Sequence, residues 1–156
     1  MQDWNKLKEI LLENKKVVIL SHRSPDGDSI GSSLGLYHLL KQSHNEVVVI
    51  TPDPAPKFLN WMQGFEAIMS FDGQTHKATE AIKYADLIFC LDFNSLNRLG
   101  SALEMEVKKN ESAYIINIDH HQQPDNFADF TLEKLYFNFK LRCITPRTTS
   151  KLYLRK

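Results

Sequence analysis

Residues 17–42 read VVILSHRSPDGDSIGSSLGLYHLLKQ, and this stretch decides the fold. Val17 to Ser21 carries no charge, the mark of a strand buried on both faces. A helix over 29–42 follows, with Asp28 or Ser29 as its cap. The same alternation continues outward. Residues 4–13 place Leu7, Ile10 and Leu11 on one helical face. Glu46 to Thr51 reads as a second buried strand, ended by Pro52 and Pro54, and 56–63 as a short helix. Ala67 to Phe71 is a weaker strand before the Asp72-Gly73 turn. Helix 75–84, strand Leu87 to Leu91, helix 95–109 and strand Tyr114 to Ile118 complete the series. Leu96, Leu99, Leu103 and Val107 share one face of the last helix. The prediction is an α/β fold with a parallel five-stranded sheet and helices on both faces. In such sheets ligands sit beyond the carboxyl ends of the strands.

A chain of 156 residues and 18.0 kDa fits one domain, or one domain and a stub of another. Nineteen Lys/Arg balance nineteen Asp/Glu, which argues against a large basic surface for nucleic acid. A small phosphate-bearing substrate at a local site stays possible. The longest apolar run, Leu87 to Leu91, is far short of the roughly 20 residues a membrane span needs. The polar start MQDWNKLKEI lacks a signal core. Two cysteines, Cys90 and Cys143, make no disulfide framework. These features predict a soluble, cytoplasmic protein.

Charge divides the chain. Residues 1–132 hold twelve Lys/Arg against eighteen Asp/Glu, whereas 133–156 hold seven Lys/Arg against the single acid Glu133. The first part is periodic. The tail, EKLYFNFKLRCITPRTTSKLYLRK, has no Gly, no Asp and no clear cap, and reads as irregular. The expected organisation is a domain over 1–132 and a divergent basic tail over 133–156.

Three predicted strands run into acids or histidines: the first into His22-Arg23-Ser24-Pro25-Asp26-Gly27-Asp28, the fourth into Asp92, the fifth into Asp119-His120-His121. Mixed carboxylate and imidazole donors suit Mn²⁺, Co²⁺, Zn²⁺ or Fe²⁺. Asp26 and Asp28, two apart on a turn, can reach one metal cluster, and their repulsion calls for a cation. Gly27 is expected to supply a dihedral closed to other residues. The following helix aims its first N–H groups at the same edge, where a phosphate oxygen can bind. Singly, each feature has an ordinary explanation: a surface turn, a helix cap at Asp92, an exposed helix residue at Arg98, solvated histidines. Three such clusters at three strand ends together point to a metal site. His38, His44 and His76 read as surface residues.

The order of these motifs, with the string SHRSPDGDSIGSSLGL and with DFNSLNRLG after the fourth strand, resembles the DHH phosphoesterase superfamily over about residues 1–132. Within it the chain is most similar to the bifunctional oligoribonuclease and PAP phosphatase branch. The resemblance implies two Mn²⁺ ions. His22, Asp26 and Asp92 would hold the first, and Asp28, Asp92 and His120 the second, with Asp92 bridging. His121 would contact the scissile phosphate, Asp119 would orient a histidine, and Arg98 would neutralise charge nearby. Implied substrates are very short RNA oligomers and 3′-phosphoadenosine 5′-phosphate.

The pattern also departs from that family. Its fourth-motif Asp has no counterpart, since no Asp follows Asp129, and its nucleotide-gripping second domain has no room. The second metal site is therefore expected to lack one ligand. A shortened protein with a divergent tail and a reading frame changed near residue 132 both account for this, and the abrupt loss of acids and Gly favours the second. Alternatives for the activity are a non-catalytic remnant binding one metal or nucleotide, and an inorganic pyrophosphatase. A basic tail with interleaved aromatics would also suit a single-strand binder. An incompletely covered sheet invites homo-oligomers.

Overall fold

The computed structural model describes residues 4–13, 15–43, 46–121, 123 and 125–133. Strands β1 (Lys16–Leu20), β2 (Glu46–Thr51), β3 (Ile68–Ser70), β4 (Leu87–Leu91), β5 (Tyr114–Asp119) and β6 (Phe130–Glu133) form one sheet in the order β3-β2-β1-β4-β5-β6. Every neighbouring pair is parallel. This is the doubly wound order in which β1 and β4 lie side by side and the chain departs in opposite directions from them. The crevice beyond their carboxyl ends is the fold's binding position.

Both faces are covered, as the uninterrupted apolar strands demand. Val17, Ile19, Val47, Val49, Leu87, Phe89 and Leu91 turn to one side. There they meet Leu7, Ile10 and Leu11 of α1 (Trp4–Leu12) and Leu36, Tyr37 and Leu40 of α2 (Gly27–Leu40). Val18, Leu20, Ile50, Ile88 and Cys90 turn to the other. Their partners are Ala78 and Ile82 of α3 (Thr75–Lys83) and Leu103 and Val107 of α4 (Ser101–Lys109). Burial pushes the Cys90 thiol well above its ordinary pKa, so it packs as an inert small apolar side chain. No helix among the described residues is long and apolar enough to cross a membrane.

The structure corrects the sequence reading at several points. Among the described residues the sheet has six strands, not five. Phe130-Thr131-Leu132-Glu133 is too short to show a period, yet Phe130 is buried against Ile116. Asp129 anchors this strand, its N–H donating to the Ile115 carbonyl and its Oδ2 accepting from the Ile115 N–H. The helix expected over 95–109 is broken. A 3-10 turn spans Leu96–Leu99 and α4 begins at Ser101, because Gly100 takes φ 79°, ψ 153°. The apolar face survives the break, since Leu96, Leu99, Leu103 and Val107 are all buried together. The expected short helix over 56–63 is a single 3-10 turn at Lys57–Leu59. His38 is half-buried, its Nε2 2.9 Å from the Gln63 carbonyl. His44, Cys143 and the tail beyond Glu133 lie outside the described residues.

The most consequential correction is at the start of α2. The cap is Asp26 rather than Asp28 or Ser29. Asp26 sits in extended conformation, and its Oδ1 accepts from the N–H groups of Asp28 and Ser29, both at 3.0 Å. Gly27 is therefore the first helical residue. It does not hold the left-handed dihedral expected of it; the glycines with positive φ are Gly64 and Gly100.

Candidate metal centre

Three loops meet at the carboxyl edge of the sheet. The first follows β1. Ser21 N–H still pairs with the Ile50 carbonyl, and Ser21 Oγ lies 2.8 Å from Ser29 Oγ in the first turn of α2. These buried contacts tie both ends of the His22–Asp28 loop to rigid elements. His22 is buried within it, its Nδ1 2.8 Å from the Arg23 carbonyl. A carbonyl only accepts, so Nδ1 carries the hydrogen and Nε2 the lone pair.

The second loop supplies Asp92. Its N–H bonds to the Ile118 carbonyl, and its backbone is left-handed with φ 65°. Asp tolerates that conformation better than most residues. Such strain, of order 1–3 kcal/mol, persists where surrounding structure imposes it. The third loop supplies Asp119, His120 and His121.

The Asp92 carboxylate lies between the other two loops. Oδ2 is 3.8 Å from His22 Nε2, and Oδ1 is 3.8 Å from His120 Nδ1. Both separations are too long for a hydrogen bond. His22, Asp26 and Asp92 bring one donor atom each within 4.8 Å of one another; so do Asp92, His120 and His121. Asp92 is common to both groups. Because Asp26 takes both helix amides on Oδ1, its other oxygen is open to a ligand.

The Asp92 carboxylate is the chief cause that raises the His22 pKa above the ordinary histidine value. At 3.8 Å this is attraction through space rather than a formed hydrogen bond. Burial opposes it, while the Arg23 carbonyl and the Asp26 charge add to it.

Asp119 is buried at the end of β5. Its Oδ1 accepts from His121 Nδ1–H at 2.7 Å, as in the carboxylate–histidine pairs that orient metal-site imidazoles. Its Oδ2 is buried with no hydrogen-bond partner. The His120 and His121 rings stack at 4.7 Å. Oxygen and imidazole donors, unpaired carboxylate oxygens and a shared acid fit divalent transition-metal ions.

Two predicted residues stand apart. Asp28 is exposed in the first turn of α2 and belongs to neither donor group; His121 stands where Asp28 was expected. Arg98 is exposed too, and its carbonyl accepts from Arg23 N–H at 2.8 Å. At Gly27 an added Cβ would meet nothing within 4 Å, so the loop is open there. Sequence reading also missed Asp53. Its Oδ2 accepts from Ser24 N–H at 2.7 Å and its Oδ1 lies 3.3 Å from Arg23 Nε. The signal was present, because β2 also ends at this edge and runs into an acid, but the flanking prolines read only as a strand stop.

Residues 16–151 match the family model described as "DHH family, N-terminal domain". The chain is 32% identical over 131 residues to the bifunctional oligoribonuclease and PAP phosphatase NrnA of Thermus thermophilus, covering 80% of this chain and 35% of that protein. It is 27% identical over 127 residues to the cyclic-di-AMP phosphodiesterase GdpP of Bacillus subtilis, covering 78% of this chain and 18% of that protein. The crystal structure of an exopolyphosphatase-related protein from Bacteroides fragilis superposes with a TM-score of 0.78 at 42% identity, over 83% of this chain and 37% of that one. The chain thus spans well under half the length of each of these relatives.

Proposed function

The chain belongs to the DHH family as its N-terminal domain, and from that premise we propose a metal-dependent phosphoesterase acting on short oligoribonucleotides and 3′-phosphoadenosine 5′-phosphate. The observation that carries this reading is Asp92, one carboxylate common to two donor groups at the switch point of the sheet. His22, Asp26 and Asp92 would hold one divalent ion, and Asp92 with His120 a second; Mn²⁺ is the ion to test first. Two such ions, when bound, would supply a water acidic enough to attack phosphorus near neutral pH and positive charge at the phosphate oxygens.

The chain's own residues do the rest. Asp92, held in its left-handed backbone, presents one oxygen to each side. In the neutral ring the Arg23 carbonyl holds the hydrogen on His22 Nδ1, so that the lone pair sits on Nε2, on the side of Asp92. Asp119 holds His121 by Nδ1, which leaves Nε2 to meet the scissile phosphate.

The test is phosphate release from 3′-phosphoadenosine 5′-phosphate by the full 156-residue chain, with and without Mn²⁺. Turnover that needs Mn²⁺ and is lost in Asp92→Ala is the expected result. Turnover unchanged in Asp92→Ala overturns the shared-carboxylate reading. The likeness to a cyclic-di-AMP phosphodiesterase makes a cyclic adenine dinucleotide the second substrate to assay. Pyrophosphate in parallel separates both from an inorganic pyrophosphatase.

A further inference from the structure

If His22 holds an ion, as proposed above, it must keep Nδ1 protonated and Nε2 aimed at the ion. The group that enforces this is the Arg23–Ser24 peptide. Its C=O accepts from His22 Nδ1–H at 2.8 Å, and its N–H donates to Asp53 Oδ2 at 2.7 Å. A peptide unit is planar, so a carboxylate that fixes the direction of the N–H also fixes the direction of the C=O. A negative charge on the N–H side polarises the amide and makes its oxygen a stronger acceptor. We infer that Asp53 is a positioning residue for His22, acting through the Arg23–Ser24 peptide group.

The surroundings show a peptide that needs holding and an acid placed to hold it. Ser24 has φ 53°, a left-handed conformation that serine adopts only under constraint. Asp53 is itself fixed, since Thr51 Oγ1–H, buried at the end of β2, donates to its backbone carbonyl at 2.7 Å. The Arg23 side chain completes the clasp. Its Nε reaches Asp53 Oδ1 at 3.3 Å, and its guanidinium lies so close to Gly100 that a Cβ there would meet Cζ at 3.4 Å. Arg23 N–H is bound in turn by the Arg98 carbonyl. One acid just beyond β2 thus governs a donor group on the loop after β1.

The test compares Asp53→Ala, Asp53→Asn and His22→Ala with the unaltered chain. Long-range nitrogen spectra of the metal-free chain report which His22 ring nitrogen carries the hydrogen, and calorimetric titration with Mn²⁺ reports affinity. Asp53→Ala is expected to shift His22 away from the Nδ1–H form and to weaken Mn²⁺ binding about 10–100-fold. Asp53→Asn keeps an oxygen acceptor for Ser24 N–H, so the tautomer should survive with a smaller loss of affinity. An unchanged tautomer and affinity in folded Asp53→Ala overturns the inference. If Asp53→Ala does not fold, Asp53→Asn decides: affinity equal to the unaltered chain overturns it, and a loss with the tautomer kept supports it. His22→Ala separates the two levels. Unchanged Mn²⁺ affinity there means that the metal reading fails, while the tautomer comparison still judges Asp53.

Discussion

The His22–Asp28 loop and the Asp119–His121 segment face each other across Asp92, and they are built differently. In the first, the His22 side chain is 8% exposed and its ring, the Asp26 carboxylate and the backbone at Arg23 and Ser24 are all bound by named partners. In the second, only Asp119 is buried; the His120 side chain is 64% exposed, and His121 is held through one nitrogen. One half of the site is organised before any ion arrives, and the other leaves more of its ordering to ligand binding. The difference follows from position. The first loop lies between two central strands and runs directly into a capped helix, whereas the second leaves the sheet one strand nearer its edge.

The largest effect expected is at the residue both halves share. Asp92→Ala should lower Mn²⁺-dependent turnover by at least roughly 100-fold, because both donor groups lose a member. Substitution on either side then separates the halves. His22→Ala should weaken the tighter Mn²⁺ site by about 100-fold and His120→Ala the weaker site by about 10-fold, read by titration calorimetry. Equal losses would erase the contrast drawn here, and a reversed order would invert it.

A third outcome concerns pH. The folded chain raises the His22 pKa, chiefly through Asp92, so the charged ring stabilises the metal-free fold fully below about pH 6.5. That contribution fades as pH rises through the raised value. Mn²⁺ needs the neutral ring, so its affinity runs the opposite way and tightens over the same interval. Denaturant midpoints without metal should therefore fall from about pH 6 to about pH 8 relative to His22→Ala, while calorimetric affinity climbs. Affinity flat over that range would remove His22 from the ligand set.

The smallest effect is expected at Gly27. With ordinary φ and open space around its missing Cβ, Gly27→Ala should change stability by less than about 1 kcal/mol, in the stabilising direction. A loss of several kcal/mol on thermal denaturation would restore the strained turn that the motif invites one to imagine.

The reading of the fold succeeded where burial is two-sided. Val17–Leu20, Val47–Ile50 and Leu87–Leu91 are apolar at every position because helices cover both faces. It failed where tertiary contact replaces pattern. Phe130–Glu133 pairs because an adjacent strand offers it hydrogen bonds, and Gly100 breaks a helix whose apolar period runs on unbroken. Within the site, the donor types were legible because His22, Asp26, Asp92 and Asp119–His121 all follow strands. Their grouping was not, and Asp28, two residues from Asp26, shares a turn with it but no donor group.

By itself, then, the amino-acid order determined an α/β sheet and the edge at which its chemistry gathers, because hydrophobic period and strand-end position are local properties of the chain. The tertiary structure decided what no local property contains. It placed one carboxylate between two loops, gave the cap of α2 to Asp26, and brought Asp53 from the loop after β2 against the peptide that holds His22. Those choices depend on distances between segments remote in sequence, and such distances are set when the sheet assembles.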